Sequence, residues 1–212
     1  MKFHRFLEYV PNITKLQLDA QASHAKMSPV ERMDLVRKLN HEHQNPQKAA
    51  VMVLIYPKND EAHLVLIVRP SYPGVHSSQV SFPGGRAETS DTSFLHTALR
   101  ECEEEVGVES QKVNFIKQLQ SVYIPPSNFL MHPFLGFSNE TLSFIPQASE
   151  VQRILEVPLR FFLEDATLTN QKMNTSYGVQ IVVPGWDFEK HFIWGATAMV
   201  LSELKDHFEL LR

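Results

Sequence analysis

Four glutamates crowd into five consecutive positions of this 212-residue chain: Glu101, Glu103, Glu104 and Glu105, directly after Arg100 and just before Gly107. At about 100° per residue, Glu101, Glu104 and Glu105 share an arc of roughly 100° on one helix face, and Glu103 points nearly the opposite way. Three like charges on one face repel one another, and the neighbouring sequence holds too little positive charge to relieve them. Mg²⁺ or Mn²⁺, hard cations that select oxygen ligands, would do so. The alternative for any glutamate cluster is a solvated acidic face, and the flanking residues oppose it. Phe94, Leu95, Ala98, Leu99, Cys102 and Val106 recur at helical spacing, which gives the same helix an apolar stripe. Asp91 is placed to cap its start, and Gly107 stands where a left-handed residue closes a helix. Upstream, Phe82-Pro83-Gly84-Gly85 ends a strand-like run in a turn without side chains, which lets bare backbone approach the helix. A carboxylate face beside such a turn suits a metal-bridged pyrophosphate.

The run from Arg100 to Val108 reads Arg-Glu-apolar-x-Glu-Glu-x-Gly-apolar and resembles the Nudix box, the loop–helix–loop signature of the Nudix hydrolases. The front of the box is one residue longer than the general pattern between Gly85 and Arg100, and Asp91 stands, displaced by one, for the usual early glutamate. This longer front half resembles the coenzyme A pyrophosphatase subgroup. The resemblance extends upstream to Leu64-Val65-Leu66-Ile67-Val68-Arg69 and Gln79-Val80-Ser81-Phe82-Pro83-Gly84-Gly85. Downstream it takes in Glu150-Val151, Val157-Pro158-Leu159 and Ile193-Trp194-Gly195-Ala196-Thr197-Ala198, so that it covers most of the chain from about residue 48. Two positions depart from the subgroup, with Gly74 in place of its second arginine and Ser78 in place of its glycine before the glutamine.

The resemblance implies hydrolysis of coenzyme A or acyl-coenzyme A to adenosine 3′,5′-bisphosphate and 4′-phosphopantetheine or its acyl form. Other readings are a Nudix hydrolase of ADP-ribose or another nucleoside diphosphate derivative, and a Nudix-fold module that binds a nucleotide without cleaving it. The intact carboxylate run argues against the last. By resemblance Glu101 and Glu105 are metal ligands, Glu104 shares a metal or assists water, and Arg100 orients the carboxylates. Glu150 is the distant candidate for a further base or ligand, its alternative being a solvated loop residue. Arg69 meets a phosphate or forms a strand-end ion pair. Gln79, Phe82, Gly84 and Gly85 complete the substrate-binding set.

These residues need a scaffold. The chain is long enough for one domain with a substantial core, divided as a helical extension over residues 1–47 and a catalytic domain over residues 48–212. Ser28-Pro29-Val30-Glu31 has the form of a capping box, and Met33, Val36 and Leu39 give the following helix an apolar side. These N-terminal helices are expected to pack on the domain or on a second copy, as a homodimer. Residues 51–56 and 63–68 read as strands joined by a turn at Pro57-Lys58-Asn59-Asp60, followed by a long loop over residues 70–78. Further strands are expected at residues 113–119, 131–137 and 179–183. A last helix over residues 196–211 should present Leu201, Leu204, Phe208 and Leu211 on one side. Pattern alone gives the α/β or α+β class, and the resemblance implies an α/β/α sandwich with a mixed sheet.

Composition bounds the rest. A net charge of −4 without a basic run argues against a nucleic-acid partner. The longest apolar run, residues 49–56, is too short to span a bilayer, and the N-terminus lacks the apolar stretch of a secretory signal, so cytoplasmic residence is expected. Cys102, the single cysteine, excludes intrachain disulfides and thiolate zinc sites and reads as a buried small residue. His41-x-His43 reads as loop, and Met131 and Met173 as packing. The expected partner is a small-molecule pyrophosphate.

Overall fold

The computed structural model describes residues 1–39, 45–70 and 79–211. The His41-x-His43 pair and most of the 70–78 loop, with Gly74 and Ser78, lie outside the described residues.

Three helices lead, α1 (Phe3–Lys15), α2 (Ala20–Lys26) and α3 (Val30–Lys38), and the strands β1 (Gln47–Lys58) and β2 (Glu61–Val68) follow. β1 and β2 form a hairpin whose turn is shorter than the sequence suggests. Pro57 and Lys58 stay in the strand, opposite Ala62 and Glu61. Asn59 and Asp60 alone turn the chain, both at positive φ (50° and 62°), as a two-residue turn matched to strand twist demands. β3 (Val80–Ser81) and β4 (Gly84–Arg86) lead to α4 (Phe94–Val106), then β5 (Asn114–Gln118), β6 (Val122–Ile124), β7 (Phe129–Phe137), β8 (Arg153–Pro158) and α5 (Leu159–Leu163). The chain closes with β9 (Leu168–Thr175), β10 (Gly178–Phe188), β11 (His191–Ile193) and α6 (Gly195–Leu210).

β1 is the axis of an eight-stranded sheet. It runs parallel to β7 and antiparallel to β2 and β4, which makes the sheet mixed. Its alternation assigns each side chain to a layer: Ala50, Met52, Leu54 and Tyr56 pack toward Ala98, Cys102 and Val106 of α4. Val51, Val53 and Ile55 pack on the opposite side with Leu201, Leu204 and Phe208 of α6. Helices thus cover both faces, an α/β/α sandwich. A separate three-stranded sheet runs β11-β10-β9.

The N-terminal helices join this core. Phe6 and Ile13 are fully buried in the α6-side cluster, and the Phe6 ring meets those of Phe137 and Phe208. Between α2 and α6, Ser23 Oγ donates to Asp206 at 2.6 Å, Lys26 Nζ pairs with Asp206 at 2.7 Å, and His24 meets Glu203 at 2.9 Å. Leu201, Leu204 and Phe208 of α6, with Leu211 at its C-terminal cap, join one cluster, as expected, and the opposite side of the helix is covered as well. Every residue of α6 from Thr197 to Phe208 is buried, because the sheet, α1, α2 and α5 surround it, and its polar residues are paired rather than solvated. The capping box also fails to form: no side chain caps α3, and Ser28 Oγ instead accepts from Arg32 Nη1 at 3.2 Å.

Candidate active site

α4 carries the acidic run, and its ends are set by local chemistry. Ser93, not Asp91, caps the start, its Oγ accepting from the His96 amide at 3.1 Å. Gly107 ends the helix at φ 75°, as expected. Asp91 is drawn elsewhere because Arg100 lies one helical face away: Nε and Nη2 of Arg100 each donate to it at 3.0 Å, and Thr97 Oγ1 adds a bond of 2.8 Å. This fork holds the Asp91 carboxyl well below the usual carboxylate range. Arg100 also donates from Nη1 to Glu101 at 3.1 Å and to Glu104 at 3.0 Å. It therefore ties the loop before the helix to two of the carboxylates.

β4 brings its bare backbone against the same face. The Gly84 amide donates to Glu105 Oε2 at 2.8 Å. The segment after β7 returns along the end of α4, where the Ile145 and Gln147 amides donate to the carbonyls of Val106 and Glu105. A turn at Gln147 then carries Glu150 in. As a result carboxylate oxygens of Glu101, Glu105 and Glu150 lie within 4.8 Å of one another. Glu101 and Glu105 are buried and Glu150 is exposed. Glu104 stands outside this trio, its side chain mostly exposed and held by Arg100. Glu103 faces away, accepting from the Ser110 amide.

The chemistry of the trio suits a hard cation. Glu105 Oε1 is buried with no hydrogen-bond partner among the described residues, and its nearest cation, Arg69 Nη1, lies 3.8 Å away. An ionised carboxylate oxygen without a donor costs free energy unless a cation reaches it. Burial, with Glu101 and Glu150 adding repulsion, pushes the Glu105 carboxyl up to about 8 against the pull of the Gly84 amide and Arg69. Burial raises Glu101 as well. Cys102, on the buried stripe behind them, is pushed up to about 12 by burial, which leaves it an inert thiol.

Beside the trio opens a cleft of about 870 Å³, within the size range of small-molecule sites. Its floor is the strip β4-β1-β7-β6, and one face of that strip contributes Gly84, Arg86, Ala49, Val51, Met131, Phe129 and Ile124. Arg69 and Gln79 stand at the end of β2 and the start of β3, joined by the Arg69 amide donating to the Gln79 carbonyl at 3.0 Å. With Phe82 and Gly85 they line the cleft beside the trio. Met131 and Met173, read from sequence as packing residues, both line it. So do residues the sequence did not mark as site residues: Pro29 and Arg32 of the N-terminal region, and Asn174 to Tyr177 at the β9–β10 turn. Nothing in their spacing marks them, because the cleft joins segments more than a hundred residues apart.

Comparison with known proteins places this arrangement. The NUDIX domain family model matches residues 46–172. The uncharacterized Nudix hydrolase NudL of Photorhabdus laumondii is 34% identical over 166 residues, 78% of this chain and 87% of its own. Nudix hydrolase 15, mitochondrial, of Arabidopsis thaliana is 27% identical over 196 residues, 88% of this chain and 68% of its own. Among solved structures, a MutT/nudix family protein from Enterococcus faecalis superposes with a TM-score of 0.54 at 14% identity, covering 92% of this chain and 76% of its own. The Nudix hydrolase RenU of M. smegmatis gives 0.53 at 14% identity, covering 79% and 88%. These two likenesses speak to the fold alone.

Proposed function

Because this chain belongs to the Nudix hydrolases, enzymes that act on pyrophosphate bonds, we infer that it hydrolyses coenzyme A or its thioesters to adenosine 3′,5′-bisphosphate and (acyl-)4′-phosphopantetheine. The observation that carries the reading is the convergence of Glu101, Glu105 and Glu150 beside a cleft whose walls are largely apolar. A diphosphate between a nucleotide and an extended, weakly polar arm matches such a cleft. The subgroup resemblance supplies the choice of arm, and its motif residues Arg69, Gln79, Phe82, Gly84 and Gly85 line the cleft together.

Glu101 and Glu105, with Glu150 across from them, would hold the divalent cation that members of this family generally need, with Mg²⁺ or Mn²⁺ fitting the all-oxygen set. Such a cation neutralises phosphate oxygens and lowers the pKa of water. The protein's own groups do the rest. Arg69 stands beside Glu105 and offers a planar fork to a phosphate. The missing side chains at Gly84 and Gly85 let the turn pack against β1 and against the Glu101 carboxylate, which keeps the turn close to the trio. Glu150, exposed and not committed to an ion pair among the described residues, is placed to accept a proton from water, and Glu104 is a second exposed carboxylate one helical turn from Arg100. Arg100 holds Glu101 and Glu104 in register.

The test is a panel of diphosphates, including coenzyme A, acetyl-coenzyme A and ADP-ribose, incubated with Mg²⁺ or Mn²⁺ and resolved by mass. Coenzyme A and acetyl-coenzyme A should be cleaved faster than ADP-ribose, with the 3′-phosphate left on adenosine. Efficient cleavage of ADP-ribose without turnover of coenzyme A overturns the substrate assignment. Nucleotide binding without any turnover favours the binding module.

A further inference from the structure

The cleft carries a second cationic feature that the diphosphate end does not use. Among its described lining residues are three arginines, Arg32, Arg69 and Arg86, and no carboxylate. Arg69 faces Glu105 and Arg86 is exposed on β4 beside the Gly-Gly turn. Arg32 differs from both, because it reaches in from α3, an element otherwise remote from the catalytic run. Its guanidinium is fixed by Nη2 donating to the Tyr123 carbonyl at 2.8 Å and Nη1 donating to Ser28 Oγ at 3.2 Å. A side-chain hydrogen bond joins it to Tyr177 at the tip of the β9–β10 turn. All three partners are neutral groups. The nearby acids do not compensate it: Asp34 pairs with Arg37, and no described carboxylate lies within ion-pair distance of Arg32. Burial without a counter-charge lowers its pKa from the usual guanidinium value, which marks the charge as unrelieved. A half-buried arginine whose partners are all neutral keeps a charge and donor capacity that an anion can meet.

Its position sets what the anion is attached to. Tyr123, which holds Arg32, pairs with Leu130 of β7, and β7 runs beside β1, whose Ala50 pairs with Gly85 of β4. Three strand spacings and a two-residue offset along β1, from Lys48 opposite Leu130 to Ala50 opposite Gly85, therefore separate the anchor of Arg32 from the Gly-Gly turn by roughly 16 Å between backbones. The guanidinium itself sits at that anchor, 2.8 Å from the Tyr123 carbonyl. The separation is too wide for both ends to meet one diphosphate, and short enough for one ligand to reach both.

We propose that Arg32 receives a phosphomonoester carried by the substrate away from the scissile diphosphate, and thereby selects for substrates that bear one. Tyr177 and Ser28 hold the guanidinium so that part of its donor fork faces the cleft, and the planar fork suits a dianionic phosphate better than an ammonium would. The proposal rests on reading this cleft as the diphosphate-substrate cleft. It assigns the N-terminal helices a place in specificity.

The test uses ligands that differ only by the phosphomonoester. Calorimetric titration of the full chain with Mg²⁺ should show adenosine 3′,5′-bisphosphate binding about 10- to 100-fold more tightly than AMP, the range of one or two charge-assisted hydrogen bonds. In Arg32→Gln that ratio should fall toward one, and in Arg32→Lys it should be intermediate. In turnover, the same collapse should appear in the KM ratio of coenzyme A against 3′-dephospho-coenzyme A, or of 2′-phospho-ADP-ribose against ADP-ribose. Equal affinities of the two nucleotides in the unsubstituted protein overturn the proposal, and this arm stands even where Arg32→Gln does not fold. A preference that survives Arg32→Gln and is lost in Arg86→Gln overturns it as well. A bisphosphate preference that depends on Arg32, with no cleavage of coenzyme A, retains this inference and rejects the proposed substrate. Cleavage of coenzyme A without that preference does the reverse.

Discussion

Gly85 lies directly against the Glu101 carboxylate: a Cβ added at Gly85 would stand 2.5 Å from its Cδ and from both oxygens. The absent side chain is thus a condition for the position of Glu101, which Arg100 holds from the other side at 3.1 Å. Gly85→Ala should push Glu101 out of the trio. The expected outcome is a loss of kcat of about a hundredfold or more with weaker Mg²⁺ binding, measured by steady-state kinetics across a metal titration. Retained activity at ordinary metal concentrations would show that Glu101 need not hold this position.

The helix face separates the four glutamates by position, and a difference in function is expected to follow. Glu101→Gln and Glu105→Gln should each lower kcat by roughly a thousandfold, equivalent to about 4 kcal/mol of barrier. Glu103→Gln removes only the charge of an exposed side chain and keeps an oxygen that can accept from the Ser110 amide, so it should be mild. Equal losses at Glu103 and Glu105 would place the site on the wrong face.

Glu150 and Glu104 compete for the role of general base. Glu150 joins the trio, whereas Glu104 is engaged by Arg100. Glu150→Gln is therefore expected to cost kcat at least tenfold more than Glu104→Gln at saturating metal. A deeper loss at Glu104 in kcat, with metal affinity unchanged, would move the base to the helix.

How far the sequence reached can be read from particular residues. The helix was legible because its information is local: the apolar spacing of Ala98, Cys102 and Val106 and the left-handed Gly107 act within a few turns of chain. The β1–β2 hairpin was legible for the same reason. Asp91 was misread as a cap because a cap and a partner for Arg100 look alike until the loop path is known. The apolar side of α6 was legible, but the burial of its polar side was not, because Glu203 and Asp206 find partners in α2, some 180 residues away. Likewise the cleft wall formed by Arg32 and Tyr177 arises only where distant segments meet. Patterns that depend on periodicity survive in one dimension, and pairings across the fold do not.

The buried Glu105 predicts a pH dependence with a definite sign. Its carboxyl is pushed up to about 8 in the metal-free protein, against about 4.3 in an unfolded chain. Between those values the folded state holds a proton that the unfolded state has released, so stability must fall as pH rises through this window. Metal-free protein should therefore lose thermal stability between about pH 5 and pH 8 more steeply than Glu105→Gln, which lacks this titration. A cation at the trio must displace that proton, so Mg²⁺ affinity should rise with pH, by up to about tenfold per unit, and level off near pH 8. Saturating Mg²⁺ should accordingly flatten the stability profile. Calorimetric melts of both proteins across this range, with and without Mg²⁺, measure the effect. Parallel metal-free profiles for the native chain and Glu105→Gln would mean that Glu105 is already ionised, and that Arg69, 3.8 Å away, compensates it without a metal.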